Sequence, residues 1–154
     1  MNTDLRPIVA EDFPEMDEIY VPYAGHGFPR DRVLSCLGTY PTVIAISDDE
    51  VVGFAYTLSF APDIAELGNI YIRPDFRTSG LGGRLLGFIE ERMTDPMRYL
   101  IAVNSKIRKT NYEKKDPTNF YLRSGFEILR NTGGSTVFWR DIRGAAPVTG
   151  EPPP

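Results

Sequence analysis

Three glycines within four positions form the stretch of this sequence best suited to bind a ligand. Gly80, Gly82 and Gly83 follow an apolar segment that ends in residues 70–72, and they precede residues with helical spacing. Glycine lets a ligand approach the backbone closely, and the first N–H groups of a helix have no internal acceptor. The helix dipole also favours negative charge at that end. A strand, a glycine-rich turn and a helix start therefore predict an anion site, usually for phosphate.

Other phosphate-binding loops, and a turn without a ligand, are the alternatives for this stretch. A Walker loop requires a Gly-Lys-Ser/Thr ending, which the stretch lacks. A dinucleotide-binding fold places its glycines after the first strand, with an acidic residue about 20 positions later. Here the loop lies in the middle of the chain, which argues against that fold. A glycine-rich turn that binds nothing stays open on these residues alone.

Hydrophobic spacing predicts the elements that would hold this loop. Leu81, Leu85, Ile89 and Met93 recur every four residues, which indicates an amphipathic helix. Apolar and β-branched runs predict strands at 5–10, 42–47, 51–60, 65–72, 99–103, 126–130 and 136–141. Helices are predicted at 11–20, 29–37, 81–93 and 117–124, with an aromatic loop over 20–28. Because this order contains both hairpins and crossover helices, it predicts an α/β fold with a mixed sheet.

Length and composition exclude several classes of protein. The chain has 154 residues, of which 42% are hydrophobic and 25% charged, as is typical of one globular domain. Its formal net charge of −4 argues against general nucleic-acid binding. A single cysteine, Cys36, fits a reducing compartment, and a single histidine, His26, argues against a histidine-based metal site. With no apolar run suited to a secretion signal or a membrane span, we predict a cytoplasmic domain over 1–143 and a disordered tail over 144–154.

Two motifs follow one another in the chain. Residues 70–82 read Ile-Tyr-Ile-Arg-Pro-Asp-Phe-Arg-Thr-Ser-Gly-Leu-Gly, and residues 119–126 read Asn-Phe-Tyr-Leu-Arg-Ser-Gly-Phe. The first is similar to the acetyl-CoA motif of the GNAT N-acetyltransferase superfamily, and the second resembles that family's Phe-Tyr-x-x-x-Gly-Phe segment. The resemblance covers roughly residues 4–141. It implies an α/β fold with a mixed, mostly antiparallel sheet of six to seven strands, about four helices and a central splayed pair of parallel strands.

The resemblance implies acetyl-CoA as co-substrate, with its pyrophosphate on the glycine loop. The loop residues implied in this contact are Arg77, Thr78, Ser79, Gly80, Leu81, Gly82 and Gly83. The pantetheine arm would pair like a short strand with the main chain of Ile70, Tyr71 and Ile72. Arg77 could add a charge-assisted bond to phosphate, or it could be an ordinary exposed arginine. The basic segment 104–116 is either a solvated loop or a further phosphate contact.

The reaction that the resemblance implies is direct transfer of an acetyl group from the thioester to a primary amine. The amine must lose a proton, and the departing thiolate benefits from gaining one. Tyr121 is the implied acid, because a phenol with a pKa of ~10 stays protonated at neutral pH. It could instead be a core aromatic. Glu66, on the strand before the loop, is the implied base, and its alternative role is that of a solvent-facing glutamate.

The identity of the acceptor stays open on the sequence. Tyr23, His26 and Phe28 lie in the aromatic loop that the resemblance associates with the acceptor, so they are candidate substrate-binding residues. A small-molecule amine and a protein amine are both compatible with them. The predicted partners are acetyl-CoA and an amine, without nucleic acid or membrane, in a monomer or homodimer. A non-catalytic acyl-CoA-binding sensor or interaction module is the alternative function.

Overall fold

A mixed β-sheet forms the centre of the protein. The structure, a computed structural model, describes residues 2–105 and 117–144. The described strands are β1 (Thr3–Arg6), β2 (Thr42–Ser47), β3 (Glu50–Ala61), β4 (Ile64–Ile72), β5 (Tyr99–Ser105), β6 (Glu127–Asn131) and β7 (Ser135–Asp141). The described helices are α1 (Phe13–Ala24), α2 (Arg30–Cys36), α3 (Leu81–Glu91) and α4 (Thr118–Arg123). The described residues do not include 106–116 of the basic segment. They also do not include 145–154 of the predicted tail.

The seven described strands form one sheet in the order β1-β2-β3-β4-β5-β7-β6. Every neighbouring pair is antiparallel except β4 and β5, which are parallel. This architecture confirms the predicted mixed, mostly antiparallel sheet with four helices and a central parallel pair. None of the described helices is both long enough and apolar enough to span a membrane.

The parallel pair separates after three residue pairs. Ile64, Ala65 and Glu66 of β4 pair with 99–101 of β5. Beyond Glu66, β4 continues to Ile72 and β5 continues to Ser105 without further pairing between them in the described register. The sheet therefore contains a wedge-shaped opening, flanked by main chain on both sides, and Glu66 lies where it begins.

A β-bulge in β4 coincides with this separation. In the pairing with β3, Tyr56 lies opposite Asn69 and Thr57 lies opposite Leu67, so Gly68 is the additional, unpaired residue. A bulge bends its strand and increases the local twist. A Cβ atom at Gly68 would lie 2.5 Å from Cε1 of Tyr56, so only glycine fits without displacing that ring. The bulge follows the last residue pair of β4 and β5 by two positions, where it can turn β4 away from β5.

Apolar side chains cover the two faces of the sheet in two separate cores. On one face, α3 contributes Leu81, Leu85 and Ile89, all buried, which confirms the four-residue spacing seen in the sequence. Tyr121 of α4 belongs to the same core. On the other face, α1 and α2 pack mainly on β3. That second core is rich in aromatic rings and includes Tyr71 of β4.

The N-terminal elements differ from the sequence prediction. The first strand spans Thr3–Arg6 rather than 5–10, and a short 3-10 turn at Ala10–Asp12 follows it. The Asp12 carboxylate stabilises this turn, because it accepts hydrogen bonds from the Val9 amide and the Arg6 guanidinium. The prediction that the first helix ends near residue 20 was also wrong.

Helix α1 runs to Ala24, even though Pro22 lies inside it. It ends at Gly25, which adopts the left-handed conformation with φ of 77°. Proline removes one hydrogen bond from the interior of a helix. The burial of Tyr20 and Ala24 against the aromatic core offsets that loss.

Gly68→Ala is expected to lower the free energy of unfolding by about 1–3 kcal/mol, the usual cost of inserting an atom into a packed site. The physical reason is the 2.5 Å approach between the new Cβ atom and Tyr56. Urea denaturation followed by fluorescence measures the change.

Gly87→Ala in α3 is the matched control, because a Cβ atom there meets nothing within 4 Å. That variant should be as stable as the parent or gain about 0.5–1 kcal/mol from the better helix propensity of alanine. Equal stabilities of the two variants would contradict a close contact at Gly68.

Candidate active site

The glycine loop presents free backbone N–H groups at the start of α3. Gly80 precedes the helix in the left-handed conformation, with φ of 77°, and so requires glycine. The first hydrogen bond of the helix runs from the Arg84 amide to the Gly80 carbonyl, at 3.3 Å. Within the described residues, the amides of Leu81, Gly82 and Gly83 donate to no backbone carbonyl. These donors and the helix dipole favour an anion there.

Gly82 and Gly83 differ in their surroundings. A Cβ atom on Gly82 would lie 2.7 Å from Cε1 of Phe120 and 3.5 Å from Cδ1 of Ile72, so this glycine lets α3 approach the ring closely. A Cβ atom on Gly83 would meet nothing within 4 Å. Sequence reasoning missed the packing role of Gly82. Gly83 is therefore a position in the first turn of α3 where a side chain fits without a clash.

Arg77 is exposed, and its side chain also links the glycine loop to the aromatic core. Its Nε donates to the Ile72 carbonyl at 2.8 Å, and its guanidinium lies 5.3 Å from the ring of Tyr23 and 5.6 Å from that of Tyr71. The other polar loop side chain, Ser79, donates its hydroxyl to the Phe76 carbonyl at 2.6 Å. Thr78 is exposed beside it. A phosphate contact by Arg77 stays a prediction.

The end of β4 forms one side of the opening between the parallel strands. Ile70 and Ile72 pack against the core beneath α3, whereas Tyr71 faces α1. Burial raises the pKa of Tyr71, and the nearby Arg77 guanidinium opposes that rise. The Ile72 carbonyl already accepts a hydrogen bond from Arg77, and the main chain of Tyr71 faces its partner Phe54 on β3. Ile70 is therefore the most available of the three residues predicted to pair with pantetheine.

Tyr121 is a buried residue of α4 close to the start of the opening. Only 8% of it is exposed, and its ring lies 4.8 Å from that of Phe138 and 5.2 Å from that of Phe126. Phe138 pairs with Ala102 of β5. Ala102 directly follows Ile101, the last residue of β5 that pairs with β4. Burial raises the pKa of the Tyr121 phenol to about 12. The residue is both a core aromatic and a phenol that keeps its proton.

Glu66 lies at the same point of the sheet but on the opposite face from Tyr121. Its neighbours Ala65 and Leu67 point into the core beneath α3, so the Glu66 side chain points towards α2. The side chain is 26% exposed, and its Oε1 lies 3.9 Å from Nη2 of Arg32. The structure therefore places the candidate base and the candidate acid on either side of the opening.

The candidate acceptor residues differ in exposure. Phe28 is 4% exposed and packs 5.1 Å from Phe13, which gives it a core position. Tyr23 is half-buried, with its ring 4.9 Å from that of Tyr71. His26 is exposed, and its Nδ1 lies 2.9 Å from the Gly27 carbonyl oxygen. Tyr23 and His26 are thus the accessible members of the predicted group.

A family comparison identifies this arrangement. The model of the acetyltransferase (GNAT) domain matches residues 39–128, which is more than half of the chain. That range contains the glycine loop, the opening between β4 and β5, and Tyr121. The chain belongs to the GNAT acetyltransferase family.

Solved structures share the fold of this GNAT domain at low sequence identity. PaiA N-acetyltransferase of Thermoplasma acidophilum, in complex with coenzyme A, is 19% identical, with a TM-score of 0.70 over 92% of this chain and 99% of that chain. The ribosomal-protein-S18-alanine N-acetyltransferase of Escherichia coli is 18% identical, with a TM-score of 0.69 over 96% and 98%. N-acetylglutamate synthase of Neisseria gonorrhoeae, complexed with coenzyme A and N-acetyl-glutamate, is 17% identical, with a TM-score of 0.72 over 93% and 36%. No curated protein is significantly similar in sequence.

The GNAT domain also has an aromatic surface that sequence reasoning missed. Glu66 pairs with Ile101, and Ile101 pairs with Trp139, so these three side chains form one row on the same face of the sheet. The Trp139 ring stacks on Tyr99 at 5.2 Å. In the described part of the chain, α1 and α2 pack mainly on β3 and leave this half of the sheet less covered. Only strand order could have revealed the row, since its residues are far apart in sequence.

Gly83→Glu is expected to weaken acetyl-CoA binding about tenfold or more, because a carboxylate at a helix start would compete with a bound phosphate. The fold should tolerate the change, since the position is open and acidic residues favour the first turn of a helix. Isothermal titration with acetyl-CoA measures the affinity.

Gly83→Gln is the control, because it adds the same bulk without the charge. Equal affinities of the two variants would argue against a phosphate at this helix start. Gly82→Glu is unsuitable for this test, because its side chain would press on Phe120 and disturb the fold.

Proposed function

We propose that this GNAT domain is an N-acetyltransferase that transfers an acetyl group directly from acetyl-CoA to a primary amine. The observation that carries the proposal is the separation of β4 from β5 beyond Glu66, next to the free amides of Gly82 and Gly83. A strand edge and an anion-binding helix start lie together there. They match the two chemically different parts of coenzyme A, an amide-containing arm and a pyrophosphate.

In this proposal the pyrophosphate binds to the start of α3 through backbone amides. The loop residues 77–83 form the cradle, with the open position Gly83 at its entrance. The amide groups of pantetheine pair with main-chain groups of Ile70 and with the Ile72 amide, which face away from β3 and have no partner on β5 in the described register. The GNAT neighbours from Thermoplasma acidophilum and Neisseria gonorrhoeae, both bound to coenzyme A, support this choice of co-substrate.

The chemical step follows from the two groups on either side of the opening. The nitrogen lone pair of the amine attacks the thioester carbonyl, a C–N bond forms, and the C–S bond breaks. Glu66 accepts the proton that the amine loses, directly or through water. Tyr121 donates a hydrogen bond from its O–H to the sulfur as negative charge develops there, and the released thiolate takes its proton from solvent. Burial supports this role, because it raises the pKa of the phenol to about 12 and so keeps the donor proton in place.

Two measurements on the same protein test the proposal. Isothermal titration with acetyl-CoA should give micromolar binding, and an assay for free thiol should then show release in the presence of one class of amine. Binding without release from any amine would favour the non-catalytic acyl-CoA sensor instead. Absence of binding would mean that the glycine loop is only a turn.

Tyr121→Phe is expected to leave acetyl-CoA affinity unchanged and to lower turnover by about 10²–10⁴-fold, the usual contribution of a positioned proton donor. The change removes only the hydroxyl, and the ring still fills the space between Phe126 and Phe138. Free-thiol release at saturating acetyl-CoA gives the turnover number.

Tyr99→Phe is the matched control, since it removes a phenol oxygen from a half-buried ring on the other face of the sheet. If both variants turn over like the parent protein, another group or water stabilises the charge that develops on the sulfur.

A further inference from the structure

Arg32 is an arginine beside the proposed base with unused hydrogen-bonding capacity. Its side chain is 61% exposed, and its closest charged partner is Glu66, at 3.9 Å between Nη2 and Oε1. That separation is too long for a hydrogen bond. Arg30, two residues earlier on α2, differs, because its Nε donates to Asp17 at 3.1 Å. Within the described residues, no hydrogen bond engages the guanidinium of Arg32.

Arg32 and Glu66 lie over the same part of the protein. Burial raises the pKa of the Tyr56 phenol, and Arg32 and Glu66 are both close enough to shift it, in opposite directions. Residues 28–32 line a surface depression of about 470 Å³. Arg32 belongs to this depression, and its guanidinium stands beside the carboxylate of Glu66, where the opening between β4 and β5 begins.

We infer that the acceptor carries a carboxylate close to its amine, and that Arg32 binds this carboxylate while Glu66 binds the amine. The inference rests on the proposed acetyl transfer. A guanidinium offers a planar fork of N–H donors that matches the two oxygens of a carboxylate. An α-amino acid carries an ammonium group and a carboxylate close together. Its carboxylate can therefore face the guanidinium of Arg32 while its ammonium group faces the carboxylate of Glu66. The acceptor class is thus a free amino acid.

The charges around the site favour this class over the alternatives. A simple cationic amine would bring a second positive charge against Arg32 as it approached Glu66. A phosphate-bearing amine would bring a dianion, whose charge the single guanidinium of Arg32 neutralises only in part, since Arg30 is paired with Asp17. A protein N-terminus has an amide in place of the carboxylate and leaves the guanidinium without a partner. The guanidinium of Arg32 therefore matches a ligand with a single negative charge, such as the carboxylate of an amino acid.

The test compares free amino acids with their amides, which have nearly the same shape but lack the negative charge. Alanine, leucine, phenylalanine and glutamine are each assayed against the corresponding amino-acid amide, with acetyl-CoA and free-thiol detection. We expect kcat/KM for the preferred amino acid to exceed that for its amide by about tenfold or more. A charge-assisted, two-point hydrogen bond accounts for a factor of this size.

Arg32→Gln should raise KM for the amino acid about ten- to hundredfold, leave kcat within about threefold, and change the values for the amide little. Arg32→Lys should recover only part of the preference, since lysine keeps the charge but not the fork. Acetyl-CoA affinity should be the same in all variants. Arg130→Gln, an exposed arginine on the edge strand β6, controls for general loss of positive charge.

A second readout separates this inference from the proposed reaction. The same amino acids and amides are titrated into protein saturated with coenzyme A, with and without Arg32→Gln. Binding of an amino acid that depends on Arg32 would support the inference even if no thiol is released, in which case the proposed transfer alone fails. Three outcomes would each overturn the inference about the acceptor. The amino acids and their amides could behave equally, or a preference for the amino acid could survive Arg32→Gln. The third outcome is that the protein neither binds nor acetylates any amino acid.

Discussion

The bulge at Gly68 is the constraint on which the active-site geometry depends. Parallel neighbours in a sheet normally stay paired along their common length, whereas β4 leaves β5 after Glu66. The additional residue in β4 bends the strand at this point, and the ring of Tyr56 occupies the space that a side chain would need. Pairing with β3 continues up to Ile72. The strand therefore remains anchored on one side while its other edge becomes available.

The sheet separates two tasks by placing them on opposite faces. The face beneath α3 holds the glycine loop and Tyr121, which are the groups suited to phosphate and sulfur. The face beneath α2 holds Glu66 and Arg32, which are the groups suited to an amine and a carboxylate. In the described part of the chain, the opening between β4 and β5 lies between the two faces, so the thioester and the nucleophile would meet there. Arg77 crosses between the regions through its contacts with Ile72 and Tyr23.

Much of this fold was predictable from local patterns, whereas the groupings across the sheet were not. The apolar spacing of α3 and the β-branched runs of β2 and β3 are properties of adjacent residues, and the structure agrees with both. The extension of α1 through Pro22 depends on what Tyr20 and Ala24 contact, which spacing does not encode. The row that joins Glu66 to Trp139 depends on the order of strands. The motif also gave its glycines one common role, although Gly80 provides a left-handed turn and Gly82 a close helix contact.

The burial of Tyr121 limits the kind of acid that it can be. Its pKa of about 12 lies well above the ~8.5 of an ordinary thiol, so a full proton transfer from the phenol to a released thiolate is unfavourable at equilibrium. A buried O–H can still stabilise the sulfur by hydrogen bonding while the C–S bond breaks, because a donor in a site of low polarity binds its acceptor more strongly as negative charge grows there. The final proton on the thiol then comes from solvent as the coenzyme leaves. In this proposal Tyr121 acts mainly as a positioned hydrogen-bond donor, and the low polarity that makes it a poor acid strengthens that bond.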